Sequence, residues 1–358
     1  MIIIFYIYQK KTMPSFNKLR VSSITRITPM SVVVSFEVTN SLKGAYFYKS
    51  GQYITLETTI KEKIVRRSYS ICSESSSGKL EIGIKEVPNG LFSSYINKSL
   101  IVGETIKVGT PEGRFVYSPS SSKEPIIGVA AGSGITPVFS ILKSVIAADS
   151  ENTFVLIYGN KTVEETMFYE ELKDLEKIHS EQLKVHWVFS KSNLESTTFG
   201  RIDASIINYV LNQQAQMPKA FYLCGPEPMI HLVSNQLKEK GITKEHIHFE
   251  LFTASTDKVL LESKVENGTF GLTYDSVSHT LDLVSGKTLL DIALLAKLDV
   301  PYSCQGGVCC SCIARVIKGK ASMESNQVLT DTEINEGLIL TCQAVAQSER
   351  ISVDYDDV

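Results

Sequence analysis

The segment Pro125-Ile126-Ile127-Gly128-Val129-Ala130-Ala131-Gly132-Ser133-Gly134-Ile135-Thr136-Pro137 is where the periodicity of this chain changes. A short apolar run reads as a buried strand. Beyond it Val138, Ile141, Leu142, Val145 and Ile146 fall at i, i+3, i+4, i+7 and i+8, which predicts a helix with one apolar face. Between the two lies a glycine turn with Pro137 at a tolerated first-turn position. A strand, a glycine turn and a helix N-terminus together form a place for a dinucleotide pyrophosphate. Glycines allow close approach, and unpaired N–H groups with the helix dipole meet the phosphates. The glycines alone are weak evidence; their context gives them weight.

Downstream, strands over Phe154–Tyr158, Leu183–Phe189 and Ala220–Cys224 alternate with helices over 163–178, 202–211 and 227–239. Such alternation predicts a parallel sheet covered on both faces. Upstream, from Phe16 to Val116, the pattern is β-branched and alternating, as at Leu80, Ile82 and Ile84 before the Pro88-Asn89-Gly90 turn. That stretch reads as an antiparallel β-barrel. Serine-rich Ser118–Glu124 and polar Thr253–Asn267 read as linkers. The last ninety or so residues return to short strands, with a hairpin over Phe270–Leu283 and a helix over Leu289–Leu298. The expected organisation is an extension at 1–13, a barrel at 14–118, an α/β domain at 119–252, a linker at 253–267 and an α+β domain at 268–358.

Composition limits the function classes. With 43% hydrophobic and 21% charged residues, 22 Gly and 11 Pro in 358 residues, the chain is neither disordered, collagenous nor coiled coil. A net charge of −3 supplies no field for nucleic acid or anionic lipid. The longest apolar run, Ile2–Tyr8, is far below the ~20 residues that span a bilayer. In MIIIFYIYQKKT the charges follow the apolar run and no small-residue cleavage site appears, so export is not expected, and Met13 offers a more ordinary start. Residues 269–358 hold 12 acidic against 6 basic side chains, while the rest of the chain is mildly basic. This asymmetry reads either as two docking surfaces or as ordinary surface variation.

Four of the seven cysteines, Cys304, Cys309, Cys310 and Cys312, crowd one loop, and Cys342 stands further on. Crowding of this kind suits a metal better than disulfides and places the protein in a reducing, cytoplasmic compartment. The spacing CxxxxCxxC…C, formed by Cys304, Cys309, Cys312 and Cys342, is that of a plant-type [2Fe-2S] centre. Two irons bridged by two sulfides each need two more soft donors, and Gly306-Gly307 keep side chains clear of the cluster. Structural zinc usually takes two CxxC or CxxH pairs, and one CxxC exists here. Cys310 is out of register and reads as a non-ligand. The six histidines read as structural.

From about Ser15 onward the chain resembles ferredoxin-NADP reductase-type flavoproteins fused to a C-terminal plant-type ferredoxin. Within that family it is most similar to the reductase subunits of the phenylacetyl-CoA epoxidase type. Arg67-Ser68-Tyr69-Ser70 resembles the RxYS flavin motif, which implies that Arg67 pairs with phosphate, Tyr69 packs on the isoalloxazine and Ser70 lies near flavin N5. Gly90-Leu91-Phe92-Ser93 resembles the GxxS turn, implying that Gly90 and Ser93 face the flavin pyrophosphate. Gly109-Thr110-Pro111-Glu112-Gly113-Arg114-Phe115 resembles GPxGxF, with Thr110 as a departure, and favours FAD over FMN. Read locally, RRSYS is also a plain strand end, and Gly90–Ser93 a plain hairpin turn.

On the nucleotide side the resemblance assigns Gly132, Gly134, Thr136 and Pro137 to the pyrophosphate turn. It assigns Cys224-Gly225-Pro226-Glu227-Pro228-Met229 to the nicotinamide motif CGPxxM, with Cys224 near the reacting carbon and Gly225 and Met229 beside it. Ser190 and Lys191 would hold a 2′-phosphate, with Arg201 assisting, which implies NADPH. Family members more often carry arginine where Lys191 stands, so NADH stays open. In Glu250-Leu251-Phe252, Phe252 would cover the flavin and Glu250 would handle protons. A small buried Cys224 and a core Phe252 are the bland alternatives.

The expected enzyme is an NADPH-dependent reductase that passes hydride to FAD and then single electrons to the [2Fe-2S] cluster. Its acceptor would be an oxygenase component, a diiron enzyme acting on an aromatic acyl-CoA, with neither nucleic acid nor membrane as partner. Three alternatives are an NADH-dependent FMN reductase of a Rieske dioxygenase, a reductase of a steroid or alkane hydroxylase, and a non-enzymatic metal-cluster sensor. Oligomeric state is not legible.

Overall fold

Residues 16–119, 123–252, 265 and 268–358 are described by the computed structural model. Their contacts separate them into two units, one within Asn17–Thr253 and one within Ala254–Val358. The expected extension at 1–13 lies outside the described residues, as do 120–122 of the first expected linker and nearly all of the second. Val265, inside that second stretch, is buried with Phe270 and Leu283 in the C-terminal core.

In the first unit, strands β1 (Asn17–Thr28), β2 (Ser31–Glu37), β3 (Tyr53–Ile60), β4 (Lys63–Ser70), β5 (Leu80–Lys85) and β6 (Thr105–Val108) pair antiparallel in the order β4-β3-β6-β1-β2-β5. A bridge between Ile71 and Ile82 joins the two edges, so the sheet closes as the expected barrel and shields its edge strands. Alternation fills it. Val32, Val34 and Phe36 from β2 and Leu80, Ile82 and Ile84 from β5 are all buried. Helix α1 (Leu91–Lys98) adds Phe92 and Ile96 to that core.

The α/β half contains β7 (Ile126–Ala131), β8 (Phe154–Asn160), β9 (Leu183–Phe189), β10 (Thr198–Phe199), β11 (Ala220–Cys224) and β12 (Ile247–Glu250). They form one parallel sheet in the order β10-β9-β8-β7-β11-β12. Helices α2 (Ile135–Ala148), α3 (Tyr169–Ile178), α4 (Ala204–Asn212) and α5 (Glu227–Glu239) connect them. Helix α2 departs from the single apolar face expected of it, because its polar face is buried too. Ser140 Oγ donates to the Ser73 carbonyl at 2.6 Å, and Ser144 Oγ bonds Ser50 Oγ at 2.6 Å. The helix is therefore packed against the sheet on one side and the barrel on the other, and its hydroxyls are satisfied at the seam by a carbonyl and by a second hydroxyl.

The helix expected from Val163 begins only at Tyr169. Phe168 has φ 59°, a left-handed conformation that a helix cannot contain. The turn instead buries Met167 and stacks Phe168 on Phe139, with ring centroids 4.6 Å apart. Such a ring pair contributes ~0.5–1.5 kcal/mol beyond burial, a tertiary gain that overrides local helix propensity. At α4 the start shifts to Ala204 because Asp203 caps it, its Oδ1 accepting from the Ile206 N–H at 3.0 Å.

The second unit holds β13 (Thr269–Tyr274), β14 (Val277–Asp282), β15 (Ile313–Lys318), β16 (Ala321–Met323), β17 (Leu338–Leu340), β18 (Ala344–Ala346) and β19 (Arg350–Asp354). Five of these make a mixed sheet in the order β14-β13-β19-β15-β17, with β13 and β19 parallel. Helix α6 (Leu289–Leu295), started by a Thr288/Asp291 capping box, buries Leu289, Leu290, Ile292 and Ala293 in the same core. This is the α+β domain expected at 268–358, in a β-grasp arrangement. The helix stops short of Leu298 because Lys297 turns to φ 60°. A short helix α7 (Asp331–Asn335) precedes β17. Among the described residues no helix is long and apolar enough to cross a membrane.

Candidate flavin, nucleotide and cluster sites

Strand β4 carries the RxYS residues, and its period of two sends Arg67 and Tyr69 to one face and Ser68 and Ser70 to the other. The neighbouring Arg66 is locked away, its Nε donating to Glu57 Oε2 at 2.6 Å while Lys107 Nζ donates to Glu57 Oε1 at 2.7 Å. Burial alone would raise the Glu57 carboxyl, and the bonds from Lys107 and Arg66 outweigh it, holding it below the usual range. Arg67 is therefore the exposed guanidinium of the pair. Among the described residues one bond, to the Arg66 carbonyl at 2.7 Å, steadies it, which leaves most of its fork for an anion.

Tyr69 is half-buried, its ring tilted 42° against Phe92 at 5.9 Å. Gly90 is the extended N-cap of α1 and supplies no side-chain cap to the first-turn N–H groups. Ser93 is buried, and its Oγ accepts from the Val87 N–H at 3.1 Å, holding the turn. These are the features a dinucleotide flavin requires: an anion-ready guanidinium, an aromatic flank and an uncapped helix start.

The glycine turn after β7 fits as closely as its chemistry demands. A Cβ on Gly134 would lie 2.1 Å from the Cys224 carbonyl oxygen, so only glycine lets this turn rest on the end of β11. Gly225 is similarly enclosed by Met229 and Ala131. Not every residue expected here reaches a groove. Thr136 is 1% exposed, its hydroxyl donating to the Ser133 carbonyl at 3.0 Å, and Pro137 is buried beside it. Both serve the turn itself. Ser190 and Lys191 follow β9, where their N–H groups donate to the Asn160 and Lys161 carbonyls at 3.0 and 2.8 Å. Lys191 and Arg201 are exposed, and neither forms an ion pair among the described residues.

Barrel and α/β half meet where Ser70 Oγ donates to Glu250 Oε2 at 3.1 Å. Parallel pairing of β11 with β12 sets Cys224 opposite Glu250. Burial pushes the Glu250 carboxyl up to about 8 against the opposing bond from Ser70. Cys224 is 0% exposed, and burial raises its thiol strongly, with the Glu250 charge adding to the effect. At neutral pH this pocket holds a neutral thiol and a largely protonated acid. Phe252 follows immediately, 42% exposed. Motif reading named each of these residues; the Ser70–Glu250 bond itself had no sequence signal.

In the second unit three of the four expected ligands, Cys309, Cys312 and Cys342, are buried, and Cys304 is partly exposed. Cys304 and Cys342 lie close enough to perturb each other's thiols, and Cys342 and Cys312 do the same. The Gly306 N–H donates to Cys304 Sγ at 3.3 Å. Among the described residues no three metal-binding side chains gather about one point. A dinuclear cluster asks only two thiolates of each iron, four in all, the number of cysteines in the expected set. Cys310 instead packs against the apolar core. In this loop the backbone is left-handed at Gly307, φ 75°, and at Gln305, φ 54°. Two further residues that the motif did not name hold the ligand loops. Thr341 Oγ1 donates to the Cys312 carbonyl at 3.0 Å and accepts from Tyr355 OH at 2.9 Å, and Gln343 spans both loops.

Comparison with known proteins identifies three domains in the chain. Residues 18–117 match an oxidoreductase FAD-binding domain, 129–235 an oxidoreductase NAD-binding domain and 272–347 a 2Fe-2S iron-sulfur cluster binding domain. The chain is 32% identical to one of the subunits of 1,2-phenylacetyl-CoA epoxidase from Escherichia coli (strain K12), over 96% of this chain and 99% of that one. It is 31% identical to the ferredoxin reductase component of 3-ketosteroid-9-alpha-monooxygenase from Rhodococcus rhodochrous, over 94% and 96%. The solved structure of phthalate dioxygenase reductase shares the fold, with TM-score 0.62 and 23% identity over 95% of this chain and 98% of that one. The chain therefore belongs to the family of FAD- and NAD-binding oxidoreductases with a C-terminal [2Fe-2S] domain that includes these epoxidase and monooxygenase components.

Proposed function

We propose that this oxidoreductase takes hydride from NADPH and delivers single electrons to an oxygenase component, a diiron enzyme of the phenylacetyl-CoA epoxidase type. The observation that carries this reading is the meeting of Ser70, Cys224 and Glu250 where the barrel joins the α/β half. When bound, FAD supplies the two-electron acceptor for hydride and the [2Fe-2S] cluster supplies one-electron transfer outward.

The chain's own residues provide the rest. Arg67 and the uncapped start of α1 bind flavin phosphates, and Tyr69 flanks the ring. Gly132 and Gly134 bring backbone N–H groups to the nucleotide pyrophosphate. Lys191, with Ser190 and Arg201 near it in sequence, supplies positive charge for a 2′-phosphate, which favours NADPH. Glu250 holds a proton at neutral pH and exchanges it through Ser70 Oγ. Cys224 offers a neutral, compact wall to the nicotinamide, and Phe252 covers the flavin side. Cys304, Cys309, Cys312 and Cys342 ligate the irons.

A second reading for the acceptor, a steroid hydroxylase, is favoured by the Rhodococcus relative. The test is steady-state reduction of cytochrome c and of ferricyanide with NADPH and NADH. It is run on wild type and Cys309→Ser, and then with purified diiron epoxidase or steroid oxygenase as acceptor. The expected outcome is a lower KM for NADPH, retained ferricyanide activity in the variant, and loss of most of its cytochrome c activity. Equal cytochrome c rates for the two proteins would remove the cluster from the electron path.

A further inference from the structure

Gln343 is a buried amide next to the isolated fourth cysteine, 5% exposed, and the ligand motif does not name it. The two hydrogens on its Nε2 face three acceptors, the Gln305 carbonyl at 3.1 Å and the Cys342 carbonyl and Sγ at 3.0 and 3.6 Å, the two Cys342 atoms sharing one hydrogen. Two carbonyl acceptors fix which end of the amide faces the sulfur, since the opposite orientation would set carbonyl oxygen against carbonyl oxygen. The stem is fixed too. A Cβ on Gly307 would lie 3.0 Å from Gln343 Cγ, so the glycine in the cysteine loop leaves room for this side chain. The Gln343 backbone is tied as well: its N–H donates to the Leu340 carbonyl and its carbonyl accepts from Glu324 N–H, both at 2.9 Å.

We propose that Gln343 is a positioning residue that tunes the cluster, by donating an N–H bond to the Cys342 thiolate while fastening Cys342 to the loop that carries Cys304. The proposal rests on Cys342 being a ligand. Adding one electron increases negative charge on the ligand sulfurs, so a donor at Cys342 Sγ stabilises the reduced form more than the oxidised form and raises the midpoint potential. The step is a single electron gained by the cluster, with no bond broken and no proton required.

The experiment is a dye-mediated redox titration, followed by paramagnetic resonance, on the full-length holoprotein and on Gln343→Met and Gln343→Glu. Both substitutions keep the side-chain length and remove the donor. The expected result is unchanged iron and sulfide per chain and a more negative midpoint in both. For Gln343→Met the equilibrium constant for reduction falls threefold to tenfold, the upper end being about 59 mV for one electron. The Glu variant shifts further because it adds an anion. Retained clusters that titrate at the wild-type midpoint, whether or not cluster content falls, overturn the proposal by reducing Gln343 to a structural staple.

A second measurement needs no variant. In wild type grown with glutamine labelled with nitrogen-15 at the side-chain amide, pulsed resonance of the reduced cluster should show an isotope-shifted nitrogen coupling. An unchanged spectrum likewise overturns the assignment. A reduced wild type with no cluster signal at all would instead bring down the ligand reading beneath it.

Discussion

In the C-terminal unit three of the four candidate ligands come from one loop, Cys304 to Cys312, and the fourth from Cys342. In the N-terminal unit the two residues that touch at the centre, Ser70 and Glu250, are 180 positions apart. The first site depends mainly on short-range covalent geometry, with Thr341, Tyr355 and Gln343 fastening the fourth ligand. The second depends on α2 being wedged between the sheet and the barrel, with buried serines on its far face. A site built in one loop tolerates small errors elsewhere in the fold. A site built at a seam fails with the seam.

The sharpest way to break this contrast is Gly134→Ala. A new Cβ 2.1 Å from the Cys224 carbonyl oxygen forces the pyrophosphate turn off β11. Anaerobic flavin bleaching by NADPH should slow by more than ~10²-fold, the scale on which an ångström of misplacement acts. The dithionite-reduced cluster signal in the other unit should stay normal. A wild-type bleaching rate would show that the seam has slack.

Glu250→Gln comes next and sharpens the comparison. The expected fall in hydride-transfer rate is ~10²-fold, typical of a lost proton-handling group. The sign of the pH effect is also set. Folding raises this carboxyl from its ordinary 4.5 to about 8, so the folded form binds the proton more tightly. Stability from this group is present below about 4.5 and is lost as pH rises through about 8. Thermal melting of the N-terminal unit across that range should slope downward in wild type and flatten in the variant. Parallel slopes would refute the assignment.

Lys191→Ala should raise the KM for NADPH about tenfold, ~1.4 kcal/mol, and leave NADH nearly unchanged. Equal changes for both cofactors would place Lys191 outside the 2′-phosphate site. The smallest effect is expected in the C-terminal unit. Tyr355→Phe removes the bond to Thr341, costing ~1 kcal/mol and lowering the melting temperature of that unit by ~4–8 °C. Flavin bleaching should not change. A coupled loss there would erase the distinction between the two units.

Local rules made much of this protein legible in its sequence. Cysteine spacing named a paired-iron centre because ligand loops wrap a cluster at short range. The change from period two to period 3.6 marked the barrel and the parallel sheet because side-chain direction follows backbone geometry. Strands Leu183–Phe189 and Ala220–Cys224 and the helix Glu227–Glu239 occupy the expected residues. Tertiary structure alone decided the rest. Phe168 abandons helix to stack on Phe139, Thr136 and Pro137 are buried beneath the turn they form, and Ser70 meets Glu250. Gln343 reaches Cys342 Sγ only because Gly307 leaves space for its stem. Periodicity and spacing are carried by neighbours along the chain, whereas these contacts join residues whose meeting depends on how separate elements pack.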